Sequence, residues 1–101
     1  MIVSIKPGVL IDKLRPQMTL GHVIVASVYR AHGYNCTITS GNDGNHMAGS
    51  KHYIGQALDY RTRNVRASDR VNLVNGIKRA LGENFDAVLE ATHLHVEYDP
   101  K

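Results

Sequence analysis

Leu20, Val23, Ile24, Ser27, Val28 and Ala31 recur at the three- and four-residue intervals of a single helix face. Thr19, just ahead of them, has the side chain of an N-cap, and Gly33 supplies a stop, so the spacing predicts a first long helix between the two. Val71, Val74, Ile77 and Leu81 form a second such stripe, with Ser68 as its expected cap and Gly82 as its end. Elsewhere the pattern shifts to extended chain. Cys36 to Ser40 and Gln56 to Thr62 read as strands, and Ala87 to Glu90 with His93 to Tyr98 read as the arms of a hairpin. Between the first two strands, Gly41, Asn42, Asp43, Gly44, Asn45 and Gly49 are too rich in turn formers for regular structure. Near the N-terminus, Pro7-Gly8 and Pro16 punctuate a segment whose Val9, Leu10, Ile11 and Leu14 are expected to pack on the core as a short turn or strand. The elements add up to one α+β domain over residues 1–101, a small antiparallel sheet with two helices packed on one side.

Composition narrows the picture without deciding it. A chain of 101 residues buries roughly two-thirds of its unfolded surface, enough for one core without covalent staples. With one cysteine no internal disulfide forms, and Cys36 in its strand-like run reads as a buried structural thiol rather than a nucleophile. The net charge of +3 favours an anionic partner, yet the basic cluster of Arg61, Arg63, Arg66 and Arg70 lacks the interleaved aromatics of a nucleic-acid platform. No nucleic-acid partner is expected. No apolar stretch approaches the roughly 20 residues of a membrane span, and the first residues lack a basic head with a long apolar core. The expectation is a monomer made in the cytoplasm without a recognisable signal peptide.

The chemistry concentrates in two short stretches. Ser50-Lys51-His52-Tyr53-Ile54-Gly55-Gln56-Ala57-Leu58-Asp59 is answered downstream by His93-Leu94-His95. Two imidazoles and a carboxylate suit Zn²⁺, and three protein ligands leave a position for a reactive water. His52 and Asp59 are too far apart for successive turns of one helix, so a loop or strand must bring them together, with Gly55 permitting the bend. In Thr92-His93-Leu94-His95-Val96-Glu97-Tyr98 the alternation places His93, His95 and Glu97 on one strand face.

The ten-residue run matches every specified position of the Ser-x-His-x-x-Gly-x-Ala-x-Asp signature, and in this the chain resembles the zinc peptidases that include D-alanyl-D-alanine carboxypeptidases and the L-alanyl-D-glutamate endopeptidases of phage endolysins. The downstream His-x-His is the second signature of that wider group, and the similar layout runs from about Thr37 to Tyr98. The resemblance implies that His52, Asp59 and His95 bind zinc and that His93 stands beside the metal. It implies amide bonds of peptidoglycan stem peptides as substrate, cut at the cell wall or in the periplasm, in a phage or prophage setting.

Two positions depart from the family pattern. One branch carries a general-base glutamate three residues before the last ligand, where this chain has Thr92. His93 and Glu90 are the candidate bases; Glu97 is less suited because it lies beyond the last ligand. Parity in an unbroken strand separates Glu90 from the His93 face, and a turn at Ala91-Thr92 would remove that objection. Relatives also carry a substrate-binding arginine after a Ser-Gly pair, whereas Ser40-Gly41-Asn42-Asp43-Gly44 has none. Lys51, Arg61 and Arg63 are the nearest cations, each read as a solvated surface charge. Ser50 and His46 are the candidate substrate-binding residues at the cleft. The rival readings are a zinc-binding structural or interaction domain without peptidase activity, such as a virion component, and a metal-free binding module in which the histidines are incidental.

Overall fold

The computed structural model describes all 101 residues. A short strand β1 (Val3–Ile5) leads through a non-regular segment to helix α1 (Pro16–Ala31), followed by strands β2 (Cys36–Ser40) and β3 (Ala57–Arg61), helix α2 (Arg70–Leu81), and the hairpin β4 (Phe85–Leu89) and β5 (His93–Tyr98). The five strands form one sheet in the order β1-β2-β3-β5-β4. Every pairing is antiparallel except β1 with β2, where α1 makes the crossover. β1 is an addition to the expected sheet. It is three residues long, it lies at an edge, and Val3 and Ile5 remain about half exposed, so it lacks the buried alternation that marks a strand in sequence.

Both helices lie on one face of the sheet. Leu58 and Tyr60 of β3 and Leu94 and Val96 of β5 point to that side and are fully buried with Met18, Val25, Tyr29, Leu73 and Ile77 of the helices. Fully burying one such aliphatic side chain contributes about 1.5–3 kcal/mol. The helix starts differ from the expectation. α1 begins at Pro16, whose missing N–H is harmless in a first turn, and Arg15 occupies the cap position. Thr19 is therefore inside the helix, its hydroxyl donating to the Arg15 carbonyl at 3.1 Å. The buried face of α1 is Met18, Gly21, Val25 and Tyr29, while Leu20 and Val23 are each 60% exposed. Apolar residues occupy two overlapping stripes of this helix, and the sheet covers only the one that carries Tyr29. In α2, Ser68 lies in a preceding 3₁₀ turn (Ala67–Asp69) rather than at the cap, and Val71 is exposed while Leu73 joins the buried stripe.

Polar atoms within this core find partners. The Tyr29 hydroxyl donates to the Arg61 carbonyl at 2.9 Å, anchoring the end of β3, and the Tyr60 hydroxyl pairs with His22 Nδ1 at 2.9 Å. Cys36 is buried in β2, and burial pushes its thiol up to about 12, so it stays protonated and inert at neutral pH. In the N-terminal segment Val9, Ile11 and Leu14 pack against the core, whereas Leu10 is 52% exposed. The radius of gyration, 12.4 Å, is that of a compact globule and consistent with a monomer. No helix is long and apolar enough to cross a membrane.

The helix-free face carries the motif residues. Antiparallel register sets Asp59 opposite His95, Arg61 opposite His93 and Ala57 opposite Glu97, so these six side chains share the face opposite the helices. The glycine-rich segment between β2 and β3 folds over part of that face.

Candidate metal centre

His52 reaches the site from the loop, and Asp59 and His95 reach it from adjacent strands. Ser50 accepts the His52 backbone N–H on its hydroxyl at 3.2 Å, and Gln56 N–H donates to the Lys51 carbonyl at 2.9 Å as the chain enters β3. Gly55 makes the intervening bend with φ +73°, and a β-carbon there would stand 1.8 Å from the Lys13 carbonyl oxygen. Only glycine fits a position that is both left-handed and pressed against another backbone. Gly41 is constrained by close approach alone, since a β-carbon would stand 2.2 Å from the Leu10 carbonyl oxygen. The segment Leu10 to Leu14 thus fixes both ends of the loop that carries His52.

The His52 Nε2, Asp59 Oδ1 and His95 Nδ1 atoms converge. Their separations are 3.2 Å for His52 to Asp59, 2.9 Å for His95 to Asp59 and 3.3 Å between the imidazoles. A tetrahedral zinc with bonds near 2.0–2.1 Å sets its ligand atoms roughly 3.3 Å apart, close to these values. The far side of each ring supplies the decisive constraint. His52 Nδ1 faces the Gly41 carbonyl at 2.9 Å, and His95 Nε2 faces Glu97 Oε1 at 2.9 Å. Both partners only accept, so both protons sit on the outer nitrogens, and the inner nitrogens of the neutral rings present lone pairs. Two lone pairs and a carboxylate oxygen meeting at one point repel unless a cation or a shared proton lies among them. The donor set therefore fits zinc.

With no cation among them, a proton on an inner imidazole nitrogen takes its place and donates to Asp59. Burial pushes the Asp59 carboxyl up, but hydrogen bonds from His52 and His95 and the charges of His52 and His93 outweigh it, holding the group well below the usual carboxylate range. His95 is raised above the ordinary histidine value, chiefly by its hydrogen bond to Asp59.

The remaining expected residues divide. His93 lies beside the cluster, with Nε2 3.7 Å from Asp59 Oδ2 and Nδ1 3.0 Å from the Thr92 hydroxyl. Glu90 does pair with His93 across a turn at Ala91-Thr92, its N–H donating to the His93 carbonyl at 2.8 Å, so the parity objection falls. Its carboxylate is nevertheless exposed and lines neither cavity at the cluster. His46 stacks flat on His52, ring centroids 4.0 Å apart and planes 8° from parallel, and its Nε2 donates to the Asp43 carbonyl at 2.9 Å. His46 and Ser50 both line a cavity of about 490 Å³ above the cluster.

Glu97 is the residue whose role sequence reasoning missed. Its place two positions along the strand from His95, on the same face, was the available signal. Lys51, read as a solvated charge, is tied instead to Glu97 Oε2 at 3.6 Å and to Asp99 Oδ1 at 2.9 Å. A second cavity of about 320 Å³ opens on the other side of Asp59 and His93 and is lined by Lys6, Arg61 and Arg63. No protein-family model matches the chain, and no curated protein sequence does either.

Proposed function

We propose that this protein is a zinc-dependent peptidase that hydrolyses amide bonds of peptidoglycan stem peptides, of D,D-carboxypeptidase or L-alanyl-D-glutamate endopeptidase type. The observation that carries the reading is the convergence of His52, Asp59 and His95, the residues picked out by the sequence motif, with both histidines turned by their outer hydrogen bonds to offer lone pairs inward. Zinc held there would lower the pKa of its water toward about 7 and polarise the scissile carbonyl.

The chain's own residues supply binding, orientation and proton handling. The cavity of about 490 Å³ admits a short peptide segment over the ligands, with His46 and Ser50 on its wall. His93 offers Nε2 at the edge of the cluster, where it takes a proton from the attacking water or donates one to the departing amine. The Thr92 hydroxyl at His93 Nδ1 holds the ring in that orientation. The setting that fits is an enzyme delivered to the cell wall, as in a phage or prophage.

One observation favours a second reading, a zinc-binding structural or interaction domain without hydrolytic activity. The carboxylates lining the two cavities are Asp59, which this reading assigns to the metal, and Glu97, committed to His95 and Lys51. Purified peptidoglycan separates the two. A peptidase releases new amino groups, loses that activity to a chelator without losing its circular dichroism spectrum, and recovers it with added zinc. Stoichiometric zinc with no hydrolysis selects the second reading, and hydrolysis surviving confirmed zinc removal rules out the first.

A further inference from the structure

We propose that Lys6, Arg61 and Arg63 form an anion subsite that holds a substrate carboxylate about one residue away from the scissile amide. The inference rests on the peptidase reading for the identity of the ligand, though not for the existence of the site.

The three cations come from two places in the chain and meet at one cavity. Lys6 follows β1 directly, Arg61 ends β3 and Arg63 lies just beyond it. Thr39 of β2 and Thr92 of the hairpin turn add hydroxyls to the wall, and no apolar side chain lines it. None of the three cations pairs with a carboxylate of the protein, in contrast to Lys51 and Lys101, which both do. Like charges gathered without a counter-charge repel one another, so the arrangement is completed by an anion. Asp59, the single carboxylate on the wall, is already engaged by His52 and His95.

Position gives the ligand its chemistry. Asp59 and His93 form the shared wall between this cavity and the larger one over the metal ligands. Arg61 points from the same strand face as Asp59, two residues on, or roughly 7 Å along β3. A peptide with its scissile carbonyl at the cluster places a carboxylate on the adjoining residue within reach of Arg61. The guanidinium fork matches a carboxylate in a two-point fashion, which suits it to this task. A cavity of about 320 Å³ is of the size for one small residue, and without an aromatic wall it offers no platform for stacked nucleic-acid bases. The subsite would also take over the work of the arginine that is missing after Ser40-Gly41.

The test uses N-acetyl-D-alanine and its uncharged amide as probes, titrated by NMR into the full chain, both zinc-free and zinc-loaded, at constant ionic strength. The carboxylate form is expected to shift the Arg61, Arg63 and Thr92 amide signals in both states. Arg61→Gln with Arg63→Gln is expected to weaken its binding by about tenfold, the size of one charge-assisted hydrogen bond, with zinc content unchanged. The amide should bind the wild-type chain no better than the acid binds the double variant. Equal binding of acid and amide, or unchanged affinity in the double variant, overturns the proposal. So does a single-stranded oligonucleotide that binds at these arginines while the acid does not. Carboxylate binding that persists in a protein without hydrolytic activity would sink the peptidase reading and leave the subsite standing.

Discussion

Glu97 Oε1 accepts a hydrogen bond from His95 Nε2 at 2.9 Å, and that contact decides which nitrogen of His95 faces Asp59. Lys51 in turn holds the other Glu97 oxygen at 3.6 Å, so a chain of charges runs from the surface to the ligand cluster. Glu97→Ala should therefore retain the fold but bind zinc about 10–100-fold more weakly, the usual effect of removing a carboxylate partner from a ligating histidine. Glu97→Gln, which still accepts a hydrogen bond, should lose less. Competition with a chromogenic chelator reads the affinities, and an Ala variant with wild-type affinity would show that Glu97 does not orient the ring.

For the ligands themselves, metal analysis of the purified protein should give one zinc per chain. His52→Ala, Asp59→Ala and His95→Ala should each lose nearly all of it, and unchanged content in two of the three would overturn the assignment. His93→Ala should keep zinc and fold while losing on the order of 10²-fold in turnover, the size of a general acid–base contribution. Glu90→Ala should stay near wild type, because that carboxylate is exposed and lines neither cavity at the cluster. The reverse ranking would make Glu90 the base.

A pH dependence is expected from the opposite face of the sheet. His22 stacks on Tyr60 and pairs with its hydroxyl, and burial holds it below the ordinary histidine value of 6.5. The native chain then binds fewer protons here than the unfolded chain, so this contribution to stability is complete above 6.5 and is lost as pH falls through the depressed native value. Protonation also removes the lone pair that accepts from Tyr60. Melting temperatures measured at about pH 7.5 and about pH 5 should fall more steeply in the wild type than in His22→Gln, because other titrating groups are common to both. Parallel falls would refute the contribution.

Gly55→Ala tests the loop geometry. A β-carbon at φ +73° and 1.8 Å from the Lys13 carbonyl forces either the loop or the Lys13 segment to move. The expected loss is at least about 2 kcal/mol, from backbone strain together with overlap, accompanied by weaker zinc binding because His52 is displaced. Denaturant melts and the chelator titration measure the two effects. Wild-type stability in this variant would mean that the turn tolerates a side chain.

Much of the architecture is legible from local pattern. The strand carrying Asp59, the hairpin carrying His93 and His95, and the helices closed before Gly33 and Gly82 all follow from period and punctuation. Helix starts and buried faces are less so. Thr19 and Ser68 have capping side chains, but Pro16 and a 3₁₀ turn set the starts instead, and Leu20 and Val23 stay exposed although Ile24 and Val28 of the same apolar stripe pack against the core.

The sequence by itself determined the α+β class, through the periods of its helices and strands, and strand parity put His93, His95 and Glu97 on one face; that His52, Asp59 and His95 come together was implied by the resemblance of the spaced motif to a zinc-peptidase signature. It left open what surrounds them. That Gly41 and Glu97 orient the two imidazoles, that Lys51 is tied to Glu97 and Asp99, that Glu90 turns back to pair with His93 yet stays exposed, and that Lys6 joins Arg61 and Arg63 depend on contacts between residues far apart in the chain. Such contacts are set by sheet order and register, and a hydrogen-bond partner supplied from another strand or loop leaves no periodic trace in sequence.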